Sequence, residues 1–209
     1  MIFLRNRGRD MKKLGLDFYS QTPLAVAQQL IGCYLVREQE EGQIIGRINE
    51  VEAYDSAIDK ASHAYGGKRT VRNEPLFQAG GIAHVYFIYG MHNCLNVVTG
   101  LADDATAVLI RGIEIVQGIE LAARNRYAKP LAELTKPQLK NLSNGPGKLC
   151  RAIAVDRTFD YEPLLGDRLY ICEQIEAHKK QVEKIIASKR IGIDYAEEAV
   201  DFLWRFTDE

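Results

Sequence analysis

The sequence predicts one domain of the α+β class, a curved and mostly antiparallel β-sheet with surrounding helices. Its 209 residues suit a single domain, and 46% hydrophobic against 26% charged residues is the balance of a globular protein. Predicted strands and helices mix without a repeated strand–helix–strand rhythm, which argues against a doubly wound parallel sheet. We expect the domain to span residues 14–209, after a basic and flexible arm at residues 1–13.

Six segments have the composition of β-strands, being rich in β-branched or aromatic residues and bounded by turn formers. The first two flank a turn at Glu41-Gly42, and the third is the densest β segment of the chain. Residues 55–81, which follow the second strand, hold turn formers and charges and indicate a long functional loop. In chain order, the predicted strands are 33–37, 43–53, 82–89, 93–98, 107–111 and 168–173.

Three segments are predicted to be helical. Thr22 supplies an N-cap side chain and Pro23 suits the first helical position, so a helix is expected up to residue 31. Residues 114–125 place apolar side chains at helical spacing, and residues 195–204 suit a short terminal helix. The Asn-Gly-Pro-Gly stretch at 144–147 indicates a turn.

The charge pattern leaves the kind of binding partner open. The chain has 27 basic and 28 acidic residues, and a net charge of −1 neither indicates nor excludes a nucleic-acid partner, since binding needs only a local basic face. The basic residues at 1–13 form either a disordered arm or an arm that touches phosphate. No apolar segment suits a signal peptide or a membrane span, so we expect a cytoplasmic protein, or a nuclear one in a eukaryote.

Motifs for metals and nucleotides are missing from the sequence. The four cysteines lie too far apart for a zinc-binding CxxC pair, and buried free thiols are expected. Gly147-Lys148 lacks the Ser or Thr that must follow in a phosphate loop, and no GxSxG stretch is present. A zinc site from Glu52, His63 and His84 would lack a close ligand pair. We therefore predict neither a metal nor a cofactor.

The end of the second predicted strand carries a candidate catalytic carboxylate. In the Glu-Val-Glu-Ala-Tyr stretch at 50–54, alternation places Glu52 and Tyr54 on one face, at the lip of the long loop. A partly desolvated carboxylate can activate water, although an exposed strand charge is the plainer alternative for these residues alone. Arg111 ends a later apolar strand and is a plausible partner for Glu52.

The long loop contains a basic stretch. Residues 63–73 hold a Gly-Gly pair and the cations Lys68, Arg69 and Arg72, which together suit phosphate binding. An ordinary solvated loop explains the same composition equally well.

An aromatic stretch follows at residues 84–96. Three aromatic residues in a strand are typical of a core, but Tyr89-Gly90-Met91-His92 has the composition of a turn that exposes a ring and a methionine. Exposed apolar side chains beside a basic loop suit insertion between nucleic-acid bases.

The order of these features resembles the alkyladenine (3-methyladenine) DNA glycosylase family. The shared pattern is Glu-x-Glu-Ala-Tyr, a histidine eleven residues after Glu52, Gly-Gly-basic-x-Thr-x-Arg-Asn, Tyr-x-x-Tyr-Gly-Met, an asparagine and a strand-end arginine. The resemblance runs from about residue 16 to residue 156 and more weakly to residue 206, with family-like segments at 143–149 and 190–192.

The resemblance implies a monofunctional DNA glycosylase of base excision repair. Such an enzyme flips a damaged purine out of duplex DNA and hydrolyses its N-glycosidic bond, which leaves an abasic site. The implied bases are 3-methyladenine, 7-methylguanine, hypoxanthine and ethenoadenine. The implied partner is double-stranded DNA that contains a damaged purine, and family members act on it as monomers without a cofactor.

The resemblance also implies a role for each matched residue. Glu52 matches the catalytic base, and Arg111 would hold it ionised and help to fix the attacking water. Asn96 matches a gate that would clash with the 2-amino group of normal guanine. The further matched positions are the base-pocket residues Tyr54, His63 and Tyr86, the intercalating Tyr89, the DNA contacts Lys68, Arg72, Met91 and His92, and the water-holding carbonyl of Ile191.

Three points stay open at this stage. His92 stands where the family pattern leads us to expect a bulkier aromatic residue. A catalytically inactive nucleic-acid-binding module of the same fold is the main alternative function, and it would not need a desolvated carboxylate. A metal-dependent hydrolase built on Glu52 and the histidines is the other.

Overall fold

The computed structural model describes residues 11–88, 90–173, 178 and 181–209 of the chain. Within these residues the strands form one eight-stranded antiparallel sheet, surrounded by short helices. The predicted α+β class with a mostly antiparallel sheet is confirmed. The strands are β1 (Tyr34–Gln39), β2 (Gly42–Tyr54), β3 (Ala83–Ile88), β4 (His92–Thr99), β5 (Thr106–Gln117), β6 (Leu169–Cys172), β7 (Ile185–Ser188) and β8 (Arg205–Asp208). The α-helices are α1 (Leu16–Tyr19), α2 (Pro23–Leu30), α3 (Ile119–Tyr127), α4 (Lys136–Lys140) and α5 (Pro146–Ala152).

Strand β2 holds the centre of the sheet. The spatial order is β3-β4-β5-β2-β1-β6, and β8 pairs with both β2 and β7. Along one edge of β2, β1 pairs with residues 42–47 and β8 pairs with residues 50–52, while β5 runs along the other edge. The end of β2 that carries the candidate carboxylate is therefore hydrogen-bonded on both sides.

The hydrophobic core lies between the sheet and helices α2 and α5. Leu30 of α2, Leu149 of α5 and Ile48 of β2 are fully buried in one cluster. Val51 and Ala53 of β2 belong to the same cluster. Because side chains alternate along a strand, the residues between and after them point to the opposite face of the sheet.

The predicted helix over 114–125 is wrong in its first part. Residues 114–117 continue β5 and pair with β2, and helix α3 begins only at Ile119. Gly118 makes the change of direction possible, because its φ of 77° lies in the left-handed region. A side chain at this position would also bring its Cβ within 2.3 Å of the carbonyl oxygen of Gln43.

Two predictions near the C-terminal side of the chain are also corrected. The predicted turn at 144–147 leads into helix α5, which begins at Pro146 because a fixed proline φ suits the first helical position. The predicted terminal helix over 195–204 is only a 3-10 turn at Glu197–Asp201, and strand β8 follows it unpredicted. Strand β8 is stabilised by its pairing with β2 and β7 rather than by its own composition.

The N-terminal arm is described only from residue 11 onwards. Lys12 forms an ion pair with Glu173, and Lys13 forms one with Asp167. Both contacts lie beside β6, at the edge of the sheet opposite β3. Residues 1–10 lie outside the described residues.

Two further features concern the cysteines and the helices. All four cysteines are free and buried, as predicted. Within the described ranges, no helix has both the length and the apolar character needed to cross a membrane.

Candidate active site

The register of four strands places the candidate residues in one row across the sheet. His84 of β3 pairs with Asn96 of β4, Asn96 pairs with Leu109 of β5, and Leu109 pairs with Glu52 of β2. Side chains of directly paired residues share a face of the sheet. On this face lies a cavity of about 620 Å³, which is within the usual size of a ligand site. Glu52 and Tyr54 both line it, so their predicted placement on one face is confirmed.

The carboxylate of Glu52 is fully buried and held by three donors. The Tyr54 hydroxyl donates to Oε2 at 2.8 Å, and Arg111 Nη1 donates to the same oxygen at 3.2 Å. The backbone N–H of Ile191 donates to Oε1 at 2.8 Å. A buried carboxylate is tolerated only when it is paired and hydrogen-bonded. These contacts meet that need and fix the carboxylate in one orientation beside the cavity.

Arg111 joins Glu52 to a second carboxylate. Its Nε donates to Glu50 Oε1 at 2.9 Å, so the predicted pairing of Arg111 with Glu52 is present within a larger network. Arg205 of β8 also donates to Glu50 Oε1, at 3.1 Å. The four charged side chains alternate in sign across β5, β2 and β8, which balances the charge of the partly buried cluster.

Two tyrosine rings form part of the cavity wall. Burial raises the pKa of both Tyr54 and Tyr86 well above the usual value, and the nearby Glu52 charge adds to the shift. Both phenols are therefore protonated at neutral pH, and Tyr54 acts as a hydrogen-bond donor. Aromatic walls of this kind suit stacking against a planar base.

His63 is exposed and lines the cavity, and its ring forms a T-shaped contact with the ring of Tyr86, with 5.0 Å between the two ring centroids. Partial burial, together with the charge of Arg72, lowers the pKa of His63. The imidazole is therefore neutral at neutral pH and keeps one acceptor nitrogen. Asn73 fixes the backbone here, because its side-chain amide donates to the His63 carbonyl at 2.9 Å and to the Lys68 carbonyl at 2.8 Å.

Asn96 and Cys94 line the cavity from strand β4. Asn96 is 7% exposed, and its Oδ1 atom is buried with no hydrogen-bond partner among the described residues. A buried polar atom without a partner can accept from, or clash with, a molecule in the cavity. Burial raises the pKa of Cys94 to about 11, so its thiol is protonated and is not a nucleophile.

The three cations of the basic loop differ in their exposure and in their partners. Lys68 is exposed, whereas Arg72 lines the cavity, donates to the Phe87 carbonyl at 2.8 Å and lies 6.0 Å from the Tyr86 ring. Arg69 forms ion pairs with Glu74 and Asp103 and therefore braces the loop.

The hairpin between β3 and β4 carries the remaining predicted DNA contacts. Tyr89, the predicted intercalating residue, lies outside the described residues. Met91 is 65% exposed, and its contact with DNA stays a prediction. His92 is half-buried and packs on the start of α5, where a Cβ added to Gly147 would come within 2.8 Å of the imidazole.

Sequence reasoning missed the C-terminal contribution to the cavity. Tyr195 lines the wall and is 66% exposed, and Ile193 lines it as well. The family-like segment at 190–192 was the one signal for this region, and it drew attention to the carbonyl of Ile191. The structure shows a second feature of this residue, the N–H of Ile191 donating to Glu52, and the predicted role of its carbonyl stays a prediction.

The described residues contain no group of three or more histidine, cysteine, aspartate or glutamate side chains that could hold a metal ion. Glu52, His63 and His84, the residues of the zinc alternative, form no such group. Glu52 accepts the three hydrogen bonds given above, His84 Nδ1 lies 2.9 Å from Asp160, and the His63 ring packs on Tyr86.

Comparisons with known proteins show the family of this chain. The family model for methylpurine-DNA glycosylase matches residues 17–209. A relative from Desulfitobacterium hafniense is 47% identical over 196 residues, covering 94% of this chain and 95% of its own. A relative from Clostridium tetani is 51% identical over 195 residues, covering 93% of this chain and 94% of its own. Both are provisionally named 3-methyladenine DNA glycosylase. The chain belongs to the methylpurine-DNA glycosylase family and is a DNA glycosylase, as the sequence resemblance implied.

Proposed function

We propose that this enzyme flips damaged purines out of duplex DNA and hydrolyses their N-glycosidic bond with a water activated by Glu52. The substrates are bases of the 3-methyladenine, 7-methylguanine, hypoxanthine and ethenoadenine class, and the product is an abasic site. One observation carries the proposal. A fully buried carboxylate, held by three donors, lies on the wall of a cavity that is lined by aromatic rings.

The cavity supports recognition of a flipped base. Stacking of a base on an aromatic ring contributes about 1–3 kcal/mol, and Tyr54, Tyr86 and His63 offer such surfaces. An alkylated, electron-poor purine stacks more strongly because the face of an aromatic ring attracts positive charge. We expect Tyr89, the predicted intercalating residue, to enter the gap that the flipped nucleotide leaves, and the exposed Met91 near it supports a DNA contact by this hairpin.

The chemistry assigned to Glu52 is general base catalysis. Glu52 takes a proton from water, the water oxygen bonds to C1′, and the C1′–N bond breaks with its electron pair leaving on the base. General base catalysis contributes roughly 10²–10⁴-fold, and the carboxylate also stabilises the positive charge that develops on the sugar. A cationic base such as 3-methyladenine leaves as a neutral molecule and needs no acid. Neutral bases need a proton, and no residue here is assigned to give it.

The cavity composition supports monofunctional hydrolysis. A glycosylase that also cleaves the strand needs an amine nucleophile, and none of the described residues that line the cavity is a lysine. Water is then the nucleophile, fixed by Glu52, by Arg111 and, as the family pattern implies, by the carbonyl of Ile191.

The test is base release from a duplex oligonucleotide with one hypoxanthine, and from methylated duplex DNA, in the presence of a chelator. We expect strand breakage only after alkali treatment, because the product is an intact abasic strand. Breakage without alkali would contradict monofunctional hydrolysis, and activity lost to the chelator would favour a metal-dependent hydrolase. No release from either DNA, with retained binding, would favour the inactive binding module.

Asn96→Ala is expected to raise the release of normal guanine from undamaged duplex DNA roughly tenfold. The reason is that the amide of Asn96, buried at the cavity wall, would otherwise meet the 2-amino group of guanine. Chromatography of the released bases measures the effect. Hypoxanthine lacks the 2-amino group, so its rate of release serves as the internal control and should stay within threefold. An unchanged ratio of guanine to hypoxanthine would remove Asn96 from this role.

Lys68→Ala is expected to weaken binding to all duplexes equally and to reduce the slope of log affinity against log salt by about one. The exposed Lys68 lies on the loop beside the cavity, where it can neutralise one phosphate. Lys12→Ala is the matched control, because Lys12 lies at the opposite edge of the sheet. A shift in base preference for Lys68→Ala would place this residue in the base pocket instead. Arg72, which lines the cavity, is also predicted to contact the DNA backbone. Arg72→Ala is therefore measured in the same way.

A further inference from the structure

A second buried ion pair lies next to the candidate catalytic carboxylate. The side chains of Arg190 and Asp59 are both completely buried. They form a bidentate contact, with Nη1 to Oδ2 at 2.5 Å and Nη2 to Oδ1 at 2.7 Å. The pair joins the loop after β2 to the segment before β8, across 131 residues of sequence. Neither residue has a role in the chemistry described above.

Aromatic rings and carbonyls complete the surroundings of the guanidinium. Its centre lies 4.7 Å from the Tyr54 ring and 5.3 Å from the Trp204 ring. Nη1 also donates to the Ala53 carbonyl at 2.9 Å, and Nη2 to the Ala199 carbonyl at 3.3 Å. Arginine suits such a position because its planar fork binds a carboxylate while its face packs on rings. The guanidinium is thus fixed on several sides.

Arg190 adjoins two of the three donors to Glu52. It immediately precedes Ile191, whose N–H donates to Oε1, and it packs on Tyr54, whose hydroxyl donates to Oε2. Its hydrogen bond to the Ala53 carbonyl also attaches Arg190 to β2 between Glu52 and Tyr54. A displacement of the guanidinium would therefore move both donors relative to the carboxylate.

Asp59 extends the same connection to the cavity wall. Its Oδ1 accepts the N–H of Ala61 at 2.9 Å, and Ala61 lines the cavity two residues before His63. The ion pair therefore joins three parts of the site, which are the end of β2, the start of the long loop and the segment that carries Ile191.

Stability alone is a weak reason for such a pair. Replacement of a buried ion pair by apolar residues of similar volume is often neutral or stabilising, because desolvation of the charges costs as much as their attraction gains. A need for fixed geometry is a better reason for a buried ion pair than stability is. Misplacement of a reacting group by about 1 Å can lower a rate 10²-fold.

We propose that Arg190, held by Asp59, is a positioning residue that keeps the Ile191 N–H and the Tyr54 hydroxyl aligned on Glu52 for the hydrolytic step. This inference rests on the proposed role of Glu52 as the base.

The test removes both charges together, as Arg190→Gln with Asp59→Asn, in the full chain. We expect single-turnover release of 3-methyladenine from methylated duplex DNA to fall roughly 10- to 100-fold. Affinity for a duplex with one tetrahydrofuran abasic-site analogue should stay within threefold, because that ligand has no base to align. A cooperative melting curve establishes that the variant is folded. Arg190→Lys keeps the charge but not the fork, and it should be about tenfold slower even if the neutral pair variant does not fold.

The matched control is another buried arginine–carboxylate pair, Arg47 with Asp208, which joins β2 to β8 outside the cavity. Arg47→Gln with Asp208→Asn should lower the melting temperature while the single-turnover rate stays within threefold. Equal loss of rate in both pair variants would make the Arg190 pair merely structural and overturn the inference. A native rate in a folded Arg190 variant would also overturn it.

Glu52→Gln in the same assay separates the two claims. An inactive Glu52→Gln beside a fully active Arg190 variant contradicts only the positioning role. A fully active Glu52→Gln contradicts the proposed base itself.

Discussion

Glu52→Gln is expected to lower the single-turnover release of damaged bases by at least about 10²-fold. Glutamine cannot take a proton from water and gives no negative charge to the developing sugar cation. The fold should survive, because Arg111 keeps its contact with Glu50 and the amide has nearly the shape of the carboxylate. The measurement is base release under enzyme excess, with affinity for an abasic-site duplex as a check on DNA binding.

Glu50→Gln is the matched control for this substitution. Glu50 lies on the same strand and binds the same arginine, but it does not line the cavity. Its rate should fall by less than tenfold, through a looser Arg111. Equal losses for the two variants would mean that the whole charged cluster matters rather than a base at Glu52. A native rate for Glu52→Gln would make another group the base.

Arg111→Gln is expected to lower both the rate and the stability. It leaves the fully buried Glu52 without its cation, and loss of one partner of a buried pair costs roughly 3 kcal/mol in the free energy of unfolding. The rate should fall about 10²-fold, because the carboxylate and its water lose their alignment. Urea denaturation reports the stability, and single-turnover kinetics at a temperature where the variant is folded reports the rate.

Arg205→Gln is the control for the charge effect. Arg205 binds Glu50 but not Glu52, and its side chain is 25% exposed, so its loss should cost no more than about 1 kcal/mol. The rate of Arg205→Gln should change little.

A native rate in a destabilised Arg111→Gln would contradict any part for Arg111 in the chemistry. Arg111 would then be a structural residue.

Local patterns in the sequence predicted much of the fold and part of the site. Strand alternation predicted that Glu52 and Tyr54 share a face, because that depends only on neighbouring residues. The predicted partner of Arg111 is confirmed, although Arg111 lies within β5 and not at the end of a strand, because antiparallel pairing of β2 with β5 brings Arg111 and Glu52 together. These predictions succeeded because each depends on local geometry or on one strand pairing.

The unpredicted parts depend on contacts between distant residues. Strand β8 has no strong strand composition and forms where β2 offers it a free edge. The N–H of Ile191 reaches Glu52 across 139 residues, and Arg190 reaches Asp59 across 131. At 114–117 apolar spacing suited a helix, but pairing with β2 kept the chain extended until Gly118.

Ile191 and strand β8 come from the C-terminal part of the chain, and this has a consequence for newly made protein. A chain emerging from the ribosome carries Glu50, Glu52 and Arg111 long before it carries Ile191 and Arg205, which complete their hydrogen bonds. Closure of such long loops is also slow. An unfinished chain therefore lacks the hydrogen bonds that Ile191 gives to Glu52 and Arg205 gives to Glu50. Under the proposed mechanism, the carboxylate is held in place only after these residues have been made.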